Sequence, residues 1–159
     1  IGKHTLPYPA YSSKTVNGVP LLRHALNGEI DGTDVPTKQV RVYTMHFVGV
    51  RRMRRVDLLN DVEQRLSLVV PGPVNDFRIN EVRASWQIAA ASHQEYSVAR
   101  FRTIVSSGTY IRTLAPAIAA SLGSAGLAYS ITRTKIGRYR PVVRGLGFWS
   151  SRYESSRAA

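Results

Sequence analysis

Ser106-Ser-Gly-Thr-Tyr-Ile-Arg112 is the stretch on which the reading of this chain turns. It follows an apolar, strand-like run, Tyr96 to Val105, and opens a helical pattern that ends near Gly123. Tyr110 and Arg112 stand two residues apart where the chain changes direction. In an extended segment two such side chains share a face. A phenol and a fixed guanidinium can then meet one ligand. The same residues also read as a plain strand-to-helix turn, with Gly108 for the bend, Tyr110 packed and Arg112 solvated. Spacing by itself leaves both readings open.

Downstream, Ile111, Leu114, Ile118 and Leu122 recur at helical spacing and are expected to be buried. Pro116 falls within that pattern, and proline in a helix interior costs about 3 kcal/mol or more. A helix that begins near Thr113, capped by it, would place Pro116 in the first turn. Gly123 suits the left-handed position past a helix end. Ala128 to Ile136 reads as a further strand. Residues 145–159 read as a loosely structured tail, on which Leu146, Phe148 and Trp149 can dock.

Upstream, Pro7, Pro9 and Pro20 predict an extended segment over residues 1–20. Leu21 to Leu26 reads as a short helix stopped by Asn27-Gly28, and Asp31 to Pro36 as a polar loop. Val40 to Val48 reads as a strand with Val40, Val42 and Thr44 on one face and Arg41, Tyr43 and Met45 on the other. Between the two strands lies a helical insertion, about residues 49–95. Leu59, Val62 and Leu66 share a face over Val56 to Val69, which Pro71-Gly72-Pro73 ends. Asn80 is a cap candidate for a second helix through Ala91, with Val82, Trp86 and Ala89 on one face. The insertion either packs on the outside of the sheet or uses Arg51, Arg52, Arg54 and Arg55 for contacts of its own.

A length of 159 residues, 43% of them hydrophobic, allows one domain with a true core. No apolar run approaches about 18 residues, so no membrane span or membrane partner is expected. The first residues have no apolar signal core, and the chain has no cysteine. Both fit a cytoplasmic, reducing location. His4, His24, His46 and His93 have no metal-ligand spacing and read as surface or packing residues. Charge is the strongest signal of composition. Lys plus Arg number 22 against 10 acids, a net charge of +12. A polyanionic partner is the natural inference. The charge gathers in two blocks, Arg51 to Arg55 and then Arg133, Lys135, Arg138, Arg140 and Arg144, suited to phosphate contacts.

Taken together, Gly108-Thr-Tyr-Ile-Arg-Thr-Leu114, Leu122-Gly123 and Arg133-Thr-Lys-Ile-Gly137 resemble the TruB family of tRNA pseudouridine synthases. Pro9-Ala-Tyr-Ser12 with Asn17-Gly18 is similar to that family's Pro-x-Tyr-Ser-Ala-x-Lys-x-x-Gly segment. Gly28-Glu-Ile and Val40-Arg-Val-Tyr43 are similar to the linker and strand that come next. The matches keep the family's order and cover roughly residues 6–48 and 98–144. Related guide-RNA-dependent synthases share Gly-Thr-Tyr-Ile-Arg, but the Tyr-Ser stretch is closer to the stand-alone bacterial type. There are departures. Thr15 stands where the family has its lysine, with Lys14 one residue earlier. A local bulge would let Lys14 substitute; a regular extended chain would turn it to the other side. Thr132-Arg133 stands where the family has two adjacent arginines.

The resemblance implies an α+β fold. Its sheet would be mixed and largely antiparallel with flanking helices, similar to the second half of a pseudouridine synthase catalytic domain. Residues 1–144 would be the partial domain and 145–159 the tail. The implied reaction converts one uridine in the T-loop of tRNA to pseudouridine, without redox step, metal or organic cofactor. An aspartate attacks, the detached base rotates, and a carbon–carbon bond to the sugar forms before a proton leaves C5. Tyr110 corresponds to the family's candidate for that last step. Arg112 corresponds to the aspartate's partner, which keeps the carboxylate ionised and oriented. Tyr11, Lys14, Ile131, Arg133 and Lys135 are the implied substrate contacts, with Ile131 lining the base pocket.

The family carries its aspartate in Gly-x-Leu-Asp-Pro-x-Ala-Thr-Gly, upstream of the Tyr-Ser segment, and these 159 residues hold no such match. Asp34, in Gly32-Thr-Asp-Val-Pro-Thr37, imitates it, but stands where the family has a polar linker. Asp31, Asp57, Asp61 and Asp76 belong to no motif. The expectation is therefore a segment inactive by itself. Its partners would be the T-arm of tRNA or another structured RNA and an upstream half of the catalytic domain. The alternative is a non-catalytic RNA-binding or RNP-assembly component that kept the fold.

Overall fold

The structure is a computed structural model that describes residues 1–70 and 78–154. Its strands are β1 (Gly2–Pro7), β2 (Thr15–Val16), β3 (Val19–Pro20), β4 (Thr37–Arg54), β5 (Glu95–Val105), β6 (Lys135–Val143) and β7 (Leu146–Glu154). Its helices are α1 (Leu21–Leu26), α2 (Arg55–Ser67), α3 (Ile79–Ala89) and α4 (Ile111–Ser121). Short 3-10 turns cover Ile30–Gly32 and Ala90–Ser92. The fold is α+β, with antiparallel pairing. The sheets have the orders β1-β4-β5, β2-β3 and β6-β7. The chain divides into two compact units, Ile1–His46 with Arg102–Ala159, and Phe47–Phe101.

In the first unit, β1 runs antiparallel to β4, from Gly2 opposite Val42 to Pro7 opposite Thr37. The expected alternation holds through Thr44, with Val40, Val42 and Thr44 buried, Arg41 exposed and Tyr43 half-buried, but Met45, expected on the face of Arg41, is half-buried against the core. Leu6, Val40 and Val42 form the core with Leu114 of α4, and Met45, Val105, Ile111 and Ile118 pack around it. β2 and β3 make a hairpin whose two linking residues, Asn17 (φ 51) and Gly18 (φ 80), are both left-handed. That is the turn Asn-Gly favours, since its twist matches that of the flanking strands. Leu21, at the start of α1, is fully buried, and Asn27 closes the helix as expected.

Four sequence expectations need correction in this unit. First, α4 starts at Ile111 rather than Thr113, with Tyr110 at its N-cap. The Thr113 and Leu114 N–H groups both donate to the Tyr110 carbonyl at 3.1 Å, and the Thr113 hydroxyl adds a third bond at 3.0 Å. Pro116 is therefore inside the helix. The N–H it lacks would have donated to the Arg112 carbonyl, and both residues lie on the exposed side, where water can take that carbonyl. Second, Leu122 is 74% exposed because α4 stops at Ser121. Gly123 (φ 69) donates to the Ala120 carbonyl and Ser124 to that of Ala119, a Schellman ending that turns Leu122 outward. Third, Ala128 to Thr134 forms no strand, and only Lys135 onward pairs. Fourth, residues 146–154 are not a loose tail: β7 pairs with β6 through a turn at Gly145 (φ 83).

In the second unit, Arg54 leads into α2, whose buried face is Leu58 and Val62, with Leu59 and Leu66 half-buried beside them. Asn80 does not cap α3; it lies in the first turn, where its side-chain oxygen accepts from Arg83 Nη1 at 2.8 Å. Val82 and Trp86 are half-buried and Ala89 is exposed, the stripe continuing to buried Ala90. Arg83 ties α3 to α2 by two bonds to Glu63, at 2.7 and 2.8 Å. Pro71-Gly72-Pro73 and Asp76 lie outside the described residues.

Candidate functional site

The turn Ser106–Thr109 fixes where Tyr110 and Arg112 stand. Ser106 is pinned to β4 by its N–H to the Arg41 carbonyl (2.8 Å) and by its hydroxyl, which accepts from the Arg41 N–H (3.0 Å). The Thr109 hydroxyl donates back to the Ser106 carbonyl at 2.8 Å. Gly108 has φ 74, where a side chain is strained, and a β-carbon there would run into Lys38 Nζ. The backbone is what requires glycine here, since the flexible end of Lys38 can move aside. Tyr110 then caps α4 and Arg112 leaves its exposed first turn.

The Tyr-Ser segment comes to the same place. Arg112 Nη2 donates to the Tyr11 carbonyl at 3.2 Å, across 101 residues of sequence. The Tyr110 ring meets the edge of Tyr8 with centroids 5.7 Å apart. Lys14 Nζ lies 5.7 Å from the Tyr8 centroid, a cation–π arrangement. Lys14 is held by its carbonyl, which accepts from the Leu21 N–H at 2.7 Å, while the Ser12 carbonyl accepts from that of Leu22. Lys14, not exposed Thr15, is therefore the residue linked through Tyr8 to Tyr110. Ser12 is buried, and its hydroxyl has no hydrogen-bond partner among the described residues. Tyr8 and Lys38 were not singled out from sequence. A tyrosine beside two prolines carries no periodic signal, and Lys38 precedes the first apolar position of its strand.

Arg112 is exposed, and among the described residues it makes no ion pair. Tyr11 is about half exposed. Ile131, expected to line a base pocket, is 51% exposed on the irregular stretch before β6, where Arg133 is exposed too. Lys135, also exposed, is the first residue of β6. Asp34 lies elsewhere, in an open groove of about 750 Å³ lined also by Val16, Asn17, His24, Glu29 and Thr33. Neither Tyr110 nor Arg112 lines that groove. There His24 Nδ1 is 3.1 Å from Glu29, a pairing that histidine spacing did not reveal.

The four-arginine block divides. Arg54 grips Asp57 with two bonds, 2.8 and 3.0 Å. The hydrogen bond from Arg54 draws the Asp57 carboxyl below its usual range, and the same bond raises the guanidinium. Arg52 stands 3.7 Å from Glu95. Arg51 and Arg55 make no ion pair among the described residues. Arg51 is exposed and Arg55 half-buried at the start of α2.

The fold and site define an α+β chain with a tyrosine–arginine turn beside a lysine-bearing loop on a strongly basic protein. In comparisons with known proteins, no family model, no curated protein and no solved structure matches this chain. No described helix is long and apolar enough to cross a membrane.

Proposed function

We propose that the chain is the C-terminal part of a TruB-like pseudouridine synthase catalytic domain, a cytoplasmic isomerase acting on a uridine in the T-loop of tRNA. The observation that carries the proposal is the bond from Arg112 to the Tyr11 carbonyl. It joins the two motifs whose order in the sequence suggested the family. On this reading an upstream aspartate sits beside Arg112 and attacks the flipped uridine. The guanidinium has no acidic partner among the described residues, so it is available for that carboxylate. Tyr110, its ring fixed by Tyr8, removes the C5 proton after the base has rotated. Lys14 and Tyr11 border the substrate and the arginines hold phosphates. The chain alone, with no matched nucleophile, is inactive.

The same exposed Arg112, without an acidic partner among the described residues, also suits a second reading, in which the fold persists as a non-catalytic RNA-binding or RNP-assembly component. Substitution of Tyr110 in the protein with its upstream segment separates the two. For the enzyme, Tyr110→Phe keeps tRNA affinity and loses single-turnover product formation. Unchanged turnover returns Tyr110 to a packing role. No turnover in the unsubstituted protein favours the binding component.

A further inference from the structure

The β6–β7 hairpin has two dissimilar faces. On one, Tyr139 and Trp149 sit opposite each other with ring centroids 5.5 Å apart, and Tyr139 packs on Tyr43 at 5.4 Å. Strand alternation places Ile136, Arg138 and Arg140 on the other. Their cross-strand partners are Tyr153, Ser151 and Phe148; the register shift after Arg138 takes up Ser150 and keeps the alternation. Tyr153 is 77% exposed, Ile136 59% and Phe148 54%, with both arginines exposed as well. Arg138 and Arg140 make no ion pair among the described residues. Arginine and aromatic residues also occur in protein interfaces, but on a chain of net charge +12 two guanidinium groups without ion-pair partners among the described residues favour a polyanion. A polyanion with accessible ring faces satisfies both features, through phosphate contacts and stacking.

We propose that this outward face, Ile136, Arg138, Arg140, Phe148 and Tyr153, is a stacking platform for unpaired RNA nucleotides. It rests on the RNA reading above but assigns a surface outside the Tyr110–Arg112 cluster. The two exposed aromatics lie about four strand residues apart, roughly 13 Å. Successive stacked nucleotides are separated by about 3.4 Å. The rings therefore hold splayed bases, which a duplex cannot offer.

The test uses the 159-residue chain, a labelled single-stranded RNA and a duplex of the same length, with affinity read by anisotropy. Phe148→Ala with Tyr153→Ala is expected to weaken single-strand binding by at least about fivefold per ring and to leave duplex binding unchanged. Tyr153→Phe keeps a ring and is expected to bind normally. Phe148→Leu keeps apolar bulk without a ring and is expected to behave as the alanine. Circular dichroism melts of each variant establish that the fold persists. Equal losses on both RNAs, or none, overturn the platform while leaving the RNA reading intact. So does self-association that disappears in the double variant, which would make the face a protein interface. Failure of the unsubstituted chain to bind either RNA overturns both proposals.

Discussion

Removing Arg54 together with Asp57 should leave the salt dependence of tRNA binding unchanged, although an arginine is lost from the most basic block of the chain. Arg54 holds Asp57 by two bonds of 2.8 and 3.0 Å, so its guanidinium is occupied and the pair is neutral. Arg54→Gln with Asp57→Asn conserves net charge and removes no free cation. Arg51 and Arg55 have no ion-pair partner among the described residues. If both touch phosphate, Arg51→Gln with Arg55→Gln should lower the slope of log affinity against log salt by about 1.4–1.8, at about 0.7–0.9 per phosphate contact. Asp57→Asn alone should steepen it by freeing Arg54. The measurement is tRNA binding by anisotropy across about 50–200 mM salt. A flattening by the Arg54/Asp57 pair as large as that of Arg51/Arg55 would refute the reasoning, since Arg54 would then be leaving Asp57 for phosphate.

Further outcomes concern stability. Leu114 is buried against Leu6, Val40 and Val42, so Leu114→Ala should cost about 2–5 kcal/mol in urea unfolding. Leu122→Ala, on an exposed side chain, should stay within about 0.5 kcal/mol. Glu63 and Asp57 are both held below their usual range by arginine hydrogen bonds, so the stability they supply is present above the unfolded-state values and is lost as pH falls through the lowered ones. The α2–α3 pairing through Glu63 should accordingly weaken as pH falls below the usual carboxylate range, with an effect that Arg83→Gln abolishes and that salt reduces because the pair is exposed. Amide exchange in α2 and α3 against pH measures this.

Much of the first unit was legible because its signals are local. The alternation over Val40–Thr44 and the Gly123 helix ending each follow from a few neighbouring residues and one backbone rule, whereas the Asn17-Gly18 hairpin was missed because the prolines led residues 1–20 to be read as one extended segment. The start of α4 was misplaced because Pro116 argued for a later start. That argument assumes that a carbonyl deprived of its donor is costly, and the exposed face of Arg112 removes the cost. β7 was missed because its pairing is set by β6, not by its own Gly- and Ser-bearing sequence. β6 itself was read seven residues too early, since Ala128 to Thr134 has strand composition but no strand beside it. Within the site, Tyr110 and Arg112 came from a motif, whereas Tyr8 and Lys38 act only through contacts across the chain. The division of the arginine block was likewise hidden, since which arginine meets Asp57 depends on where α2 begins.

The central claim is that Arg112 awaits the carboxylate of a nucleophilic aspartate in a pseudouridine synthase. The most direct test is tritium release from tRNA labelled at uridine C5. The protein is assayed with its upstream segment present and with Arg112 intact or replaced by lysine, beside the 159 residues alone. The account predicts release by the unsubstituted protein and loss of most of it in Arg112→Lys, because lysine cannot reproduce a bidentate guanidinium–carboxylate pair. It predicts none from the 159 residues alone. Release by those residues, abolished by Asp34→Ala, would contradict it and move the reaction to the groove that holds Asp34.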